Sequence, residues 1–301
     1  MIYTKNIDIF ENIDTEEKAY WLGMIMADGS ITWQKTKAGI SLYGIKLGLT
    51  DKEVMDKFKV FLGLGEETPY WVLNQPKCQP VYYLNITCHK IAQDLGKHGA
   101  VPHKTNRIKI PVLKDEFIRH FIRGYFDGDG CIYMKDVQRK DGSFRKEGWA
   151  IITSCSIKIL KQIETICQQK KLIKSDRTYL RFPKTYKGKK HVPFFIITKR
   201  VNTVDFLNFL YKDAKVYMER KYKLYTEFIQ AFSEQKKYNK KGKYFGVYFV
   251  SLNPIRPYRC NFIYNKQHYN LGCYATEIEA AEVYNKKIIE LGLSKELLNV
   301  F

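Results

Sequence analysis

Apolar residues at helical spacing, Ala19, Tyr20, Leu22, Gly23, Ile25 and Met26, predict a helix from about Asp14 to Ala27. Asp14 supplies a cap and Glu17 a first-turn acid. Gly29 suits a chain leaving the helix, and Ser30-Ile31-Thr32-Trp33-Gln34 then alternates as a half-buried strand. The same phrase returns at a constant offset of 101 residues. Trp21-Leu22-Gly23-Met24-Ile25-Met26-Ala27-Asp28-Gly29 becomes Ile122-Arg123-Gly124-Tyr125-Phe126-Asp127-Gly128-Asp129-Gly130, and Cys131-Ile132-Tyr133-Met134-Lys135 repeats the strand.

The repetition extends beyond the motifs. A strand at 45–49 and helix at 51–62 match a strand at 150–153 and helix at 156–170. A strand at 81–86 and helix at 89–96 match a strand at 194–198 and helix at 201–211. The connection containing Lys135 to Gly148 is longer and more charged than its counterpart, so the loops differ. A period this long means two related subdomains, since solenoid repeats are shorter. A last helix spans 222–233.

Residues 236–243 hold five lysines without apolar spacing and read as a basic linker. Three short alternating segments follow at 244–250, 258–263 and 268–274, separated by Asn253-Pro254 and Asn265-Lys266. A helix over 276–291 closes this smaller unit.

Composition adds a partner. The chain has 301 residues, 45% hydrophobic, and a formal net charge of +20. That excess opposes compaction by self-repulsion, so a polyanion is expected, nucleic acid before an anionic membrane surface. No apolar run is long enough to span a bilayer, and the segment from Met1 lacks a signal core, so an intracellular protein is expected. Seven scattered cysteines with no Cys-x-x-Cys pair exclude a zinc finger or regular disulfide framework.

In each motif helix the small residues sit four apart, Gly23 with Ala27 and Gly124 with Gly128, so two such faces can pack with backbones nearly touching. That packing brings Asp28 and Asp129 together at two negative helix ends, where they repel. A divalent cation between them resolves the repulsion. Oxygen donors without His or Cys point to Mg2+, or a similar ion such as Mn2+, fitted to phosphodiester hydrolysis. A calcium loop starting at Asp127 is excluded, because Cys131 and Gln138 stand where ligands are required.

These duplicated motifs, acidic at the eighth position in Asp28 and Asp129, resemble the LAGLIDADG (DOD-type) homing endonucleases. The likeness covers residues 10–235. It implies an α+β fold of two tandem αββαββα subdomains, at 10–110 and 111–235, with motif helices at the interface and a β-saddle for DNA. It also implies metal-dependent cleavage of both strands of a long asymmetric double-stranded DNA target by a monomer. Metal ligands implied are Asp28 and Asp129 with the backbone at Ala27 and Gly128. Met26 departs from a frequently acidic position that Asp127 keeps. Val101-Pro102-His103-Lys104-Thr105 resembles the family's post-helix Pro-x-Lys segment, and Lys221 takes the comparable place, making Lys104 and Lys221 candidate catalytic lysines.

With Ile31, Trp33, Ile132 and Met134 inward, alternation turns Ser30, Thr32, Gln34, Tyr133 and Lys135 toward base edges. Lys35, Lys37, Lys46, Arg139, Lys140, Arg145 and Lys146 then meet phosphates. The C-terminal stretch 244–301, with Tyr244-Phe245-Gly246-Val247, Leu271-Gly272 and Glu279-Ala280-Ala281, resembles the Apetala/ethylene-response-factor DNA-binding domain, a three-stranded antiparallel sheet backed by one helix. Arg256, Arg259, Lys266 and His268 are its candidate contacts, and Phe245 departs from the usual Arg.

The expected protein is a free-standing endonuclease rather than a self-splicing insert, since Met1 and the ending Asn299-Val300-Phe301 lack splicing nucleophiles. The alternative is a non-cleaving DNA-binding regulator or an RNA intron maturase on the same scaffold.

Overall fold

The computed structural model describes residues 6–37, 39–138, 144–173, 179–182, 193–197, 200–237, 243–250, 255–264, 267–293 and 297–301. The chain divides into two compact units, Met1–Phe228 and Ile229–Phe301.

The first unit is α+β and written twice. Its first half runs α1 (Glu16–Asp28), β1 (Ser30–Thr36), β2 (Gly39–Leu49), α2 (Lys52–Phe61), β3 (Trp71–Leu73), β4 (Val81–Thr87) and α3 (His89–Lys97). The second runs α4 (Asp115–Asp129), β5 (Gly130–Gln138), β6 (Phe144–Thr153), α5 (Ile157–Gln169), β7 (Leu180–Arg181), β8 (Phe194–Ile197) and α6 (Arg200–Tyr211), and α7 (Glu219–Lys237) begins in this unit and ends in the next. The two antiparallel sheets share one strand order, β1-β2-β4-β3 and β5-β6-β8-β7. The αββαββα order is therefore present in both halves.

Each sheet is half-buried, as alternation demands. Ile31, Ile45, Leu47, Leu84 and Ile86 are buried together with Val54, Met55 and Phe58 of α2 and Ile91 and Leu95 of α3. Ile132, Ala150, Ile152, Phe195 and Ile197 are buried with Ile159, Ile163, Phe206 and Leu207 in the second half. The opposite strand faces stay wet.

Helices α1 and α4 make the most extensive helix pairing in the unit. A Cβ placed on Gly23 would land on the Phe121 carbonyl oxygen, and one on Gly124 would land on that of Tyr20. A Cβ on Gly128 would stand 2.5 Å from the Ala27 Cβ. The spacing of small residues is thus used for backbone contact across the seam.

Local expectations are corrected in four places. Thr15, not Asp14, caps α1, its side chain accepting from the Lys18 amide at 3.2 Å, while Asp14 pairs with Lys18. Trp33 is 39% exposed rather than buried, its ring set edge-on to the exposed His103. The charged connection from Lys135 to Gly148 is largely paired strand, with Lys135 opposite Glu147 and Val137 opposite Arg145. The last helix starts at Glu219 and reaches Lys237, inside the stretch read as linker.

The second unit holds β9 (Val247–Phe249), β10 (Tyr258–Tyr264), β11 (Gln267–Tyr274) and α8 (Glu277–Glu290), with sheet order β11-β10-β9. A capping box between Thr276 and Glu279 starts α8. Val247, Cys260, Ala280, Ala281, Tyr284 and Ile288 form its core. Gly246 adopts φ 71°, and a side chain there would strike the Tyr284 ring. The side chain of Asn299 bridges to both backbone groups of Phe245 while its own backbone pairs with the Asn285 amide. No helix among the described residues is long and apolar enough to cross a membrane.

Gly124→Ala should lower stability by about 1–3 kcal/mol through overpacking, seen as a melting temperature about 2–4 °C lower per kcal/mol. An unchanged melt would refute the close approach of α1 and α4.

Candidate active site

Both motif helices end in their acid. The Asp28 Oδ2 lies 2.6 Å from where a Cβ on Gly128 would sit, so the Asp28 carboxylate crosses the seam to the residue preceding Asp129. Desolvation pushes the Asp28 carboxyl up to about 6, with the negative charge of Asp129 as the second cause. Asp129 is also raised, by burial, against the opposing pull of the Tyr125 hydroxyl and the two lysines Lys104 and Lys221. Two acids that each resist ionisation beside the other form one electrostatic unit.

The lysines come from the segments that follow α3 and α6. Lys104 begins a short 3-10 turn after His103, which adopts φ 56°, and its buried Nζ donates to the Met26 carbonyl at 2.7 Å. Lys221 lies in α7, and its buried Nζ donates to the Phe126 carbonyl at 3.3 Å and to that of Gly130. Each ammonium therefore caps the negative end of one motif helix. Burial lowers the pKa of both; Asp129 and Asp28 pull Lys104 back up, and Asp127 does so for Lys221.

Several polar groups here carried no role in the sequence reading. Asp127 is fully buried and accepts from the Tyr20 hydroxyl at 2.8 Å, the Tyr211 hydroxyl at 2.5 Å and the Met218 amide at 2.8 Å. Arg123, also fully buried, donates to the Val216 and Leu210 carbonyls, both at 2.9 Å, and to Glu16 at 2.7 Å. Together they fasten the segment that leads into Lys221 onto the seam. Their sequence signal was a charge inside an apolar run, at positions where the first copy has Leu22 and Met26. The Tyr125 hydroxyl donates to Ser154 Oγ at 2.8 Å on the Asp129 side.

Among the described residues the acidic side chains that meet at this seam are the carboxylates of Asp28 and Asp129, hard oxygen donors. Among the described residues no group of three or more His, Cys, Asp or Glu side chains gathers to hold a metal. The donor set fits a weakly chelated Mg2+ or Mn2+, which keeps several sites for water and phosphate, better than it fits a caged ion.

The strands leaving the acids point their polar residues outward. Ser30 faces Lys46 across β1–β2, and Gln34 faces Ser41. Lys35 and Lys37 are exposed near the hairpin tip. Lys46 instead lies over aromatic rings, its Nζ 4.4 Å from the Tyr83 centroid. Tyr133 stacks on Trp149, and Lys135 lies over the same indole. Arg145 is paired with Glu147 and Lys146 with Asp136, so both expected phosphate contacts are partly neutralised. Arg139, Lys140 and Lys266 fall outside the described residues. In the second unit Arg259 and His268 are exposed on the sheet, and Arg256 is exposed in the preceding turn.

No family model matches the sequence. A DNA polymerase of Acanthamoeba polyphaga mimivirus is 28% identical over 133 residues, 42% of this chain, and the match takes up 8% of that polymerase's length. Among solved structures, the chain is similar to the I-LtrWI LAGLIDADG homing endonuclease bound to target DNA, with TM-score 0.48, 14% identity and coverage of 77% and 92% of the two chains. It is similar to the LAGLIDADG meganuclease I-AabMI bound to uncleaved DNA, with TM-score 0.46, 13% identity and coverage of 72% and 91%. It is also similar to the I-SmaMI LAGLIDADG homing endonuclease bound to cleaved DNA, with TM-score 0.45, 14% identity and coverage of 73% and 90%.

The raised Asp28 pKa fixes the sign of a pH effect. The native chain holds a proton that the unfolded chain releases between its ordinary 3.8 and about 6, so stability falls as pH rises through that window. Asp28 is open to solvent at the rim, which screens the effect to roughly 1 kcal/mol. With chelator at pH 8, Asp28→Asn should melt about 2–4 °C above the parent, the gap closing near pH 4. A variant that melts lower at pH 8 would show that the two acids do not repel.

Proposed function

We propose that the chain is a site-specific double-strand DNA endonuclease of the LAGLIDADG homing type. The supporting observation is the pair Asp28 and Asp129, coupled across a duplicated helix seam, each with a buried lysine behind it. Asp28 and Asp129, with the backbone at Ala27 and Gly128, would hold divalent ions, Mg2+ or Mn2+. Such ions supply Lewis acidity at the scissile phosphate.

The chain's own residues do the rest. Asp28 and Asp129 would supply the carboxylate oxygens that hold such ions. Lys104 and Lys221, desolvated but held beside acids, would hold or release a proton beside the phosphates and stabilise charge that develops there. Asp127 and Arg123 fix the segment that positions Lys221. Ser30, Thr32, Gln34, Tyr133 and Lys135 face a major groove, and the exposed lysines set register on phosphates.

The two halves differ at many of these positions, which suits an asymmetric target read by a monomer. The second unit serves as a further DNA grip of the Apetala/ethylene-response-factor kind. Its outward face carries Arg259 and His268, and tethering raises its effective concentration at the site.

Asp28→Asn and Asp129→Asn should each retain target binding and abolish double-strand cleavage. Selection of cleaved molecules from a randomised DNA library with magnesium supplies the target. Unchanged cutting by both variants would falsify the site. Removing residues 236–301 should weaken DNA affinity and leave a folded first unit, checked by circular dichroism; loss of the fold would show that the second unit is not an accessory.

A further inference from the structure

The chain has four tryptophans, and only Trp21 is wholly buried in the core. The other three lie on sheet strands. Trp71 is 54% exposed and is the register partner of Tyr83, with ring centroids 4.9 Å apart. Trp149 is the register partner of Tyr133, itself 42% exposed, and their rings stack at 4.4 Å and 24°. Trp33 on β1 sets its ring edge-on to the exposed His103. Each aromatic pair also carries an ammonium. Lys46 Nζ stands 5.3 Å from the Trp71 centroid, and Lys135 Nζ stands 5.6 Å from that of Trp149.

A cross-strand aromatic pair can staple a sheet. That role does not call for a lysine over each pair, nor for an indole half open to water. Nor are the pairs inherited from the duplication. By register Trp149 occupies the position of Gly44, and Trp71 that of Arg181. Each half has acquired its own platform.

Duplex DNA hides its base faces and offers only edges in its grooves. Flat rings flanked by cations match the π-faces of unpaired bases and the phosphates between them. We propose that the outward faces of the two four-stranded sheets bind unpaired nucleotides of a single-stranded nucleic acid, with Trp71–Tyr83–Lys46 and Trp149–Tyr133–Lys135 as separate stacking platforms. This binding is independent of phosphodiester cleavage, so it stands or falls apart from the nuclease reading.

The test uses the full chain without divalent metal, titrated with labelled oligo(dT) and oligo(U), following anisotropy and intrinsic tryptophan emission. Binding should quench the emission. Trp71→Ala and Trp149→Ala should each weaken single-strand binding about 5- to 100-fold, and by more than either weakens affinity for an unrelated duplex. Trp71→Phe and Trp149→Phe should stay within about threefold of the parent, since a phenyl face still stacks. Binding of either strand sustains the proposal, and the tighter one names its source. Absence of quenching overturns it, as do folded alanine variants that bind like the parent, a matching loss of duplex affinity, or phenylalanine variants as weak as the alanine ones. Should an alanine variant unfold, the phenylalanine variants and the parent's quenching decide the outcome. Asp28→Asn should bind single strands like the parent.

Discussion

The contact on which the rest depends is backbone against backbone, where Gly23 of α1 meets Phe121 of α4 and Gly124 meets Tyr20. Once those helices touch without intervening side chains, their C-termini have no freedom to part. The acids that end them are then forced into a shared space, where desolvation raises both carboxyl groups and the charge of Asp129 raises Asp28 further. A seam built on larger residues would bury more apolar area and leave Asp28 and Asp129 farther apart. Stability is given up at the acids for a preorganised charge.

The strain is contained by cations rather than by distance. Lys104 and Lys221 donate to the last carbonyls of the two helices, so each ammonium offsets a helix terminus and a carboxylate at once. Burying a lysine is costly, and burial lowers both pKa values. A buried cation beside two partly desolvated anions is nevertheless better than either set alone. The network therefore gathers ionisable groups where phosphate chemistry would need them, and the +20 surplus on the chain supplies the wider field that draws a polyanion in.

Much of this was legible in the sequence because it rests on local pattern. The 101-residue offset exposed the duplication, and the Gly/Ala spacing exposed the seam; alternation at Ile31 and Ile132 gave the strand faces. What escaped was set by tertiary partners. Trp33 is 39% exposed with its ring edge-on to His103, a distant residue that alternation along β1 cannot report. Arg123 and Asp127 sit in an apolar helix run, so only contacts with the distant residues Leu210, Tyr211, Val216 and Met218 explain them. Arg145 and Lys146 looked like free cations until cross-strand pairing brought acids beside them.

Those same residues show how far the halves have diverged under one architecture. In the first copy the position of Asp127 is the buried, apolar Met26, whose methyl lies beside Gly99 in the segment leading to Lys104. In the second copy three hydrogen bonds to Asp127 hold the segment leading to Lys221. An apolar contact is non-directional and yields to small shifts, while a buried carboxylate with three donors fixes position and fails all at once when a donor is lost. The two acids therefore face unequal surroundings although their helices are related by duplication. An architecture that began as two copies thus distinguishes its two halves through how each lysine is anchored, before any difference in the sheets is considered.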